Sequence, residues 1–185
     1  MLQRLIGFDH AAVRFLSRGC HYALVRLGAL VATRLADGWG LGIVIPMALA
    51  FGRARGVAAV GVGVISAVTL AILVQSLKAV VKRARPTGLH VERAITAPDL
   101  HAFPSGHTAQ AFGMVVLTWW VAPWMGILAI PGALAVAASR MVFGLHYPSD
   151  VAVGALLGAG ITGATLEIAE HCGLVEWLMR ISPIA

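Results

Sequence analysis

Basic residues, histidines and one aspartate are concentrated in three short segments of an otherwise apolar sequence. The segments read KAVVKRARP at 78–86, FPSGH at 103–107 and SRMVFGLHYPSD at 139–150. Ionisable groups are costly near a bilayer, so a cluster of them in an apolar chain indicates a functional site. Arginine offers a planar fork that matches phosphate oxygens, and lysine adds a point charge. Because histidine can serve as a nucleophile or a general acid, these residue types together predict phosphoryl chemistry.

The first segment is predicted to end a helix. Lys78 lies seven residues before Arg85, about two helical turns, so a continuing helix would place both side chains on one face. Pro86 then ends the helix. Lys82 and Arg83 are interpreted as snorkelling anchors at the helix end, a common role for basic residues in membrane proteins.

The second segment is predicted to begin a helix. Ser105 is suited to the N-cap position, and Gly106 and His107 would offer backbone N–H groups at the positive end of the helix dipole. Such a helix start binds anions, and glycine lets a ligand approach the backbone closely. His107 adds a titratable side chain at the same point.

The third segment combines a cation, Arg140, with a histidine and an aspartate. His146 immediately precedes a helix that Pro148 is expected to start, and Asp150 falls in the first turn of that helix. We expect the Asp150 carboxylate to accept a hydrogen bond from the ring nitrogen of His146 that carries the proton. That contact would fix the tautomer and leave the other nitrogen free to attack.

Carboxylates are scarce in this chain, with 8 Asp and Glu against 14 Lys and Arg. Magnesium and calcium prefer several oxygen ligands, and zinc prefers three or four histidine or cysteine ligands. Two histidines among cations match neither pattern. The sequence therefore predicts a site that uses no metal and no other cofactor, in which fixed cations neutralise the phosphate.

Membrane-spanning helices must position these segments. The 185-residue chain is 59% hydrophobic and 12% charged, with a mean hydropathy of +0.86, which is far more apolar than a soluble domain of that length. We predict an all-α transmembrane bundle that forms one domain, 1–185, with a catalytic helical core over 38–170. Uncharged stretches predict five spans: 38–52, 56–77, two within 108–139 separated near Pro123, and 151–166.

The N-terminal segment, residues 1–36, carries Arg14, Arg18, Arg26 and Arg34 at multiples of four among Leu, Val and Phe. This pattern predicts an amphipathic or interfacial helix that leads into the bundle. Beyond it, two membrane crossings return the chain to the same face. The three polar segments are therefore expected to converge on one side of the membrane.

Arg53 and Arg55 occupy a turn on the face opposite the three segments. The positive-inside tendency assigns that turn to the cytoplasm, so we predict a multi-pass protein of the cytoplasmic (inner) membrane with an extracytoplasmic site. Gly154 and Gly158 predict a small-xxx-small face for close helix packing. The linker 87–103 is a candidate for head-group selection through its polar side chains His90, Glu92, Arg93, Asp99 and His101.

The three segments together resemble the signature of a known family. K-x6-RP from Lys78 to Pro86, PSGH at 104–107 and SR-x5-H-x3-D from Ser139 to Asp150 match the type 2 phosphatidic acid phosphatase (PAP2) family in identity, order and spacing. These proteins are membrane lipid phosphatases related to vanadium haloperoxidases. The resemblance implies a core of six helices, so that five to six spans are expected.

The resemblance also implies a role for each residue of the motifs. His146 would be the nucleophile that forms a phosphohistidine, and Asp150 would orient it. His107 would be the general acid that protonates the leaving oxygen. The phosphate would be held by Lys78, Arg85, Ser105, Gly106 and Arg140.

The predicted function is removal of a phosphate from a lipid phosphate or diphosphate, of the phosphatidate, phosphatidylglycerophosphate, polyprenyl diphosphate or lipid A class. The expected partners are this phosphorylated lipid and the bilayer, while the oligomeric state stays open. Two alternatives remain: a phosphotransferase that uses the same histidine, and a non-catalytic transporter of anionic lipids, which would need the cations but not the histidines. Binding of nucleic acid is rejected despite the net charge of +6, because the charges lie at helix ends rather than on a soluble face.

Overall fold

The computed structural model describes residues 2–39, 41–86 and 100–183, which are almost entirely helical. The all-α transmembrane class predicted from the sequence is confirmed. The α-helices are α1 Leu2–Ser17, α2 Ala23–Arg34, α3 Leu41–Gly52, α4 Ala54–Val81, α5 Gly106–Val121, α6 Pro123–Val142, α7 Pro148–His171 and α8 Leu174–Arg180. A 3-10 turn, Arg18–His21, follows α1, and a π-helical turn, Leu35–Trp39, follows α2.

Prolines begin α6 and α7, and a glycine turns the chain between these two helices. Pro123 and Pro148 are the first residues of α6 and α7, a position where the missing N–H of proline costs nothing. Gly144 turns the chain between these helices with a φ of 63°, a left-handed conformation that favours glycine. This tight connection brings His146 back toward the end of α6.

Helices α4 to α7 alternate in direction around α5, which packs against the other three. The C-terminal ends of α4 and α6 therefore meet the N-terminal ends of α5 and α7 at one end of the bundle, where the three polar segments surround a common cavity. Convergence of these segments is the arrangement that the count of crossings predicts. Helix α8 returns against α4 at the opposite end.

Glycines allow α5 and α7 to approach at backbone contact. A Cβ placed on Gly154 would lie 2.5 Å from the carbonyl oxygen of Ser105, and one on Gly158 would lie 2.0 Å from that of Ala109. No larger side chain fits at either position without movement of a helix. The predicted small-residue face thus fixes the start of α5 against the start of α7.

Within the described part of the chain, three helices, α4, α6 and α7, are long and apolar enough to cross a membrane. A pair of helical stretches, 23–37 and 42–52, bent by 65°, raises that number to four if it counts as one span. This number is lower than the five to six spans predicted, because α3 has 12 residues and α5 has 16, short of the roughly 20 that a full crossing requires.

The N-terminal segment forms two helices rather than one. Helix α1 exposes Phe8 and Phe15 but buries Asp9 and Val13, so it is amphipathic as predicted, yet it places a carboxylate inward. Helix α2 packs along α6. Both helices therefore contribute side chains to the end of the bundle that carries the three segments.

Candidate active site

A polar cavity of about 210 Å³ opens at the end of the bundle where the three segments meet. Six of the eight site residues predicted from the sequence line it: Lys78, Arg85, Gly106, His107, Arg140 and His146. The other two, Ser105 and Asp150, are fully buried behind these residues. The structure thus brings the predicted residues into one place, with six at the cavity surface.

The three cations reach the cavity from different elements. Lys78 lies in the last turn of α4 and Arg140 in the last turn of α6, and both are almost fully buried. Arg85 follows α4 and donates from Nη1 to the backbone carbonyl of Leu145 at 3.0 Å. Fixed cations in a partly desolvated cavity favour an anionic ligand with several oxygens.

His146 is held by a backbone carbonyl. Its Nδ1 lies 2.5 Å from the carbonyl oxygen of Ala102, and because that oxygen only accepts, Nδ1 carries the proton. Burial, reinforced by Arg140 and Arg85, lowers the pKa of His146 well below its ordinary value. The imidazole is therefore neutral at physiological pH, and its Nε2 keeps the lone pair that a nucleophile needs.

The expected contact between Asp150 and His146 is replaced by other contacts of the carboxylate. Asp150 accepts from the backbone N–H of Tyr147 at 2.8 Å and from Arg83 Nη1 at 2.7 Å. Asp150 is the third residue of α7, so its carboxylate turns back to cap the helix that it begins. In the structure the Ala102 carbonyl, rather than the Asp150 carboxylate, contacts the ring of His146. The Asp150 carboxylate contacts the next residue, at the backbone N–H of Tyr147.

His107 has a carboxylate partner that the motif analysis missed. Its Nε2 donates to Oδ1 of Asp37 at 2.7 Å, and Asp37 lies within the π-helical turn that follows α2. Asp37 is also 3.8 Å from Arg34. The scarcity of acidic residues was the available signal, because a carboxylate in so apolar a chain needs a cationic or hydrogen-bonding partner.

Ser105 takes the N-cap position of α5, as predicted, but its hydroxyl does not cap the helix. The hydroxyl pairs with that of Thr108 at 2.9 Å, and the Ser105 N–H donates to the backbone carbonyl of Asp150 at 3.1 Å. The serine thereby ties the second segment to the third. Gly106, the next residue, is the one that lines the cavity.

Arg83 is not the snorkelling anchor that the sequence predicted. It is partly buried and forms ion pairs of 2.7 Å with Asp150 and 2.6 Å with Asp9. Its guanidinium also lies 4.2 Å from the centre of the Tyr147 ring. Although burial raises the pKa of Asp9, the hydrogen bonds from Arg83 and Ser149 outweigh it and hold that pKa below the ordinary value.

An apolar cavity of about 170 Å³ adjoins the polar one between α3, α4 and α5. Leu70 and Gln110 line both cavities. Residues such as Val64 and Met114 give its walls an almost wholly apolar surface. The cationic site thus adjoins a space suited to hydrocarbon.

Most of the linker proposed for head-group selection lies outside the described residues, including His90, Glu92, Arg93 and Asp99. His101 is described, and it pairs with Ala84 in an isolated antiparallel bridge. Within residues 2–39, 41–86 and 100–183, no group of three or more His, Cys, Asp or Glu side chains is placed to hold a metal ion.

Comparison with known proteins identifies similar chains. The model of the PAP2 superfamily matches residues 56–172. The chain is 35% identical over 109 residues to decaprenylphosphoryl-5-phosphoribose phosphatase of Mycobacterium tuberculosis, covering 58% of this chain and 57% of the relative. It is 30% identical over 118 residues to lipid A 1-phosphatase of Rhizobium johnstonii, covering 60% and 47%. The chain therefore spans about half the length of these relatives.

The fold matches that of a solved structure. The crystal structure of Aquifex aeolicus LpxE superimposes with a TM-score of 0.65 at 23% sequence identity, covering 84% of this chain and 92% of that chain. At this identity the likeness concerns the fold alone.

Proposed function

The chain belongs to the PAP2 superfamily, and from that premise we propose that it is an integral membrane phosphatase that removes a phosphate from a lipid phosphate or diphosphate. The observation that carries the proposal is the polar cavity, in which three cations and two histidines from distant parts of the chain meet. A cavity for binding alone would need the cations but no neutral, oriented histidine. His146 is both.

In the first step, Nε2 of His146 attacks the phosphorus of the substrate. The bond from phosphorus to the leaving oxygen breaks, and His107, which enters the step as an imidazolium paired with the Asp37 carboxylate, gives that oxygen its Nδ1 proton. Asp37 holds the imidazole of His107 through Nε2, which leaves Nδ1 to face the leaving group. The product then departs and leaves a phosphohistidine: the product is an alcohol when the substrate is a lipid phosphate, and the lipid monophosphate when it is a diphosphate.

In the second step, water attacks the phosphohistidine and His107 takes its proton. Free phosphate leaves, and both histidines return to their starting states. Lys78, Arg85 and Arg140, with the backbone N–H groups at Gly106, stabilise the charge on the non-bridging oxygens in both steps. Ser105 supports this phosphate site from behind, through its bond to the Asp150 carbonyl.

A lipid substrate is supported by the adjoining apolar cavity. A phosphate placed among the cations would leave the rest of the molecule near Leu70 and Gln110, at the opening of the apolar space. One hydrocarbon chain would then lie along α4 and α5. The two relatives described above are named as phosphatases of a decaprenylphosphoryl compound and of lipid A. Both names support a lipid as the substrate class.

We also propose that the reaction needs no metal ion and takes place on the extracytoplasmic side of the inner membrane. The cations of the cavity neutralise the phosphate charge that magnesium would otherwise balance. Arg53 and Arg55 lie at the start of α4, about 35 Å of helix away from Lys78 in the cavity. Because basic turns favour the cytoplasm, this supports an outward-facing site.

A phosphate-release assay tests the proposal. Detergent-solubilised protein is given phosphatidate, phosphatidylglycerophosphate, a prenyl diphosphate or lipid A, each with and without EDTA. We expect release from at least one lipid to persist in EDTA and to vanish in His146→Ala, while that variant still binds inorganic phosphate. Dependence on added magnesium, or turnover by His146→Ala, would contradict the proposed chemistry.

A further inference from the structure

The first helix of the chain places a carboxylate in the interior. Asp9 is 4% exposed, whereas the adjacent Phe8 is 62% exposed. Burial of a carboxylate is unfavourable unless it is hydrogen-bonded and paired. Asp9 also precedes residues 56–172, the part of the chain that the family model matches. A buried charge outside the matched region calls for a specific role.

Asp9 binds two residues beside the active site. Its Oδ2 accepts from Arg83 Nη2 at 2.6 Å and from the Ser149 hydroxyl at 2.5 Å. Its Oδ1 accepts from the Ser149 backbone N–H at 3.1 Å. Ser149 is the second residue of α7, so Asp9 satisfies an N–H group that the helix itself cannot pair.

Arg83 connects Asp9 to the two residues that flank His146 in space, Ala102 and Tyr147. Its guanidinium bridges Asp9 and Asp150 and lies over the ring of Tyr147. Its backbone carbonyl accepts from the N–H of Ala102 at 2.8 Å. The carbonyl of Ala102 in turn holds the ring of His146. Arg83 thus restrains the imidazole from one side and the following residue, Tyr147, from the other.

We propose that Asp9 is a positioning residue of the active site, which acts through Arg83 to hold His146 in line with the phosphorus. The inference rests on the proposed function. Asp9 and Arg83 are not among the described residues that line the polar cavity. We therefore expect neither side chain to touch the substrate. With both carboxylates present, the planar fork of Arg83 is fixed at two points. Without Asp9, Arg83 keeps only the contacts of Nη1, with Asp150 and with the Ser149 hydroxyl. Its Nη2 is then no longer held, so the guanidinium can rotate about Nη1 and the backbone on either side of His146 gains freedom.

The expected effect is on the rate rather than on binding. The phosphate is held by the cations of the cavity, which Asp9 does not contact. Displacement of a nucleophile by about 1 Å costs about 100-fold in rate. We therefore expect Asp9→Asn, which keeps the shape but removes the charge, to lower kcat by about 10- to 100-fold with KM within about twofold of wild type.

The test compares four variants in detergent by kcat, KM, thermal unfolding and the rate at which label from a radioactive substrate becomes bound to the protein. Asp9→Asn removes one of the two carboxylates that pair with Arg83, and Arg83→Lys replaces the guanidinium that bridges the two carboxylates. Val13→Ala is the matched control on α1, since Val13 is 1% exposed and packs the same helix one turn later. Glu170→Gln removes a carboxylate that accepts from Trp120 at 2.8 Å, far from the cavity.

If Asp9 positions His146, both Asp9→Asn and Arg83→Lys lose kcat and labelling rate together, while Val13→Ala loses thermal stability and keeps kcat. Wild-type kcat in the two site variants would overturn the inference, as would an equal loss of kcat in Val13→Ala, because α1 would then act only as a structural support. If either site variant fails to fold, the other decides. Failure of the proposed function is a different result: the wild-type protein would release no phosphate and accept no label.

Discussion

The contact between α5 and α7 offers a direct test of how the fold positions the site. A Cβ at residue 158 would lie 2.0 Å from the Ala109 carbonyl oxygen, and real Cβ atoms essentially never approach closer than 3.0 Å. Gly158→Ala therefore forces the helices apart by about 1 Å. Overpacking of this kind costs about 1–3 kcal/mol, and for a chain of this size we expect Tm to fall by about 2–10 °C.

The same movement should reach the catalytic groups. Ala109 lies in the first turn of α5, with Gly106 and His107, so a shift of α5 moves the proposed general acid relative to His146. Misplacement by about 1 Å lowers the rate by about 100-fold. We expect kcat of Gly158→Ala to fall by about 10- to 100-fold, measured by phosphate release in detergent alongside thermal unfolding.

Gly160 provides the matched control in the same helix. A Cβ at this position meets nothing within 4 Å, and alanine favours a helix over glycine by up to about 1 kcal/mol. We expect Gly160→Ala to leave kcat unchanged and to keep or raise Tm. Wild-type Tm and kcat in Gly158→Ala would refute the close packing, and equal losses in both variants would show that the effect is not specific to the contact.

Four further predictions follow from the site. Asp37→Asn should lower kcat about 10-fold with little change in KM, because His107 loses its anchoring carboxylate. Arg140→Lys should raise KM about 10-fold, the worth of one charge-assisted hydrogen bond, in the same kinetic assay. Gly144→Ala should lower stability by about 1–2 kcal/mol, seen in thermal unfolding, because its φ is positive. Burial lowers the pKa of His146 below its ordinary 6.5, so the unfolded chain binds a proton first as the pH falls; stability should drop below pH 6.5, and less so in His146→Gln.

Motif spacing predicted the members of the site because local rules govern them. Pro148 begins α7 and Ser105 occupies the N-cap of α5, each as its neighbours in the sequence indicate. Lys78 lies in the last turn of α4, but this helix ends at Val81 with Lys82 in a left-handed conformation, so the helix predicted to continue to Arg85 and to end at Pro86 was wrong. Helix direction then follows from the alternation of apolar stretches. The convergence of the three segments could therefore be predicted without knowledge of any single contact.

The contacts between side chains could not be predicted in this way. Asp37 and Asp9 lie far from the motifs in sequence, and their partners depend on how α1 and α2 pack against the bundle. Arg83 reads as an anchor because snorkelling is common, yet the fold supplies two carboxylates within its reach. Likewise, Asp150 is at the expected distance from His146 in sequence, but the cap of α7 engages its carboxylate first.

The most direct test of the central claim is to trap the covalent intermediate. Protein is mixed with a substrate labelled in its terminal phosphate, stopped in alkali within milliseconds, digested and sequenced by mass spectrometry. Phosphate is predicted on Nε2 of His146, stable in alkali and lost in acid, with no label in His146→Ala. Label on another residue, or rapid phosphate release by the wild-type protein without any bound label, would contradict it.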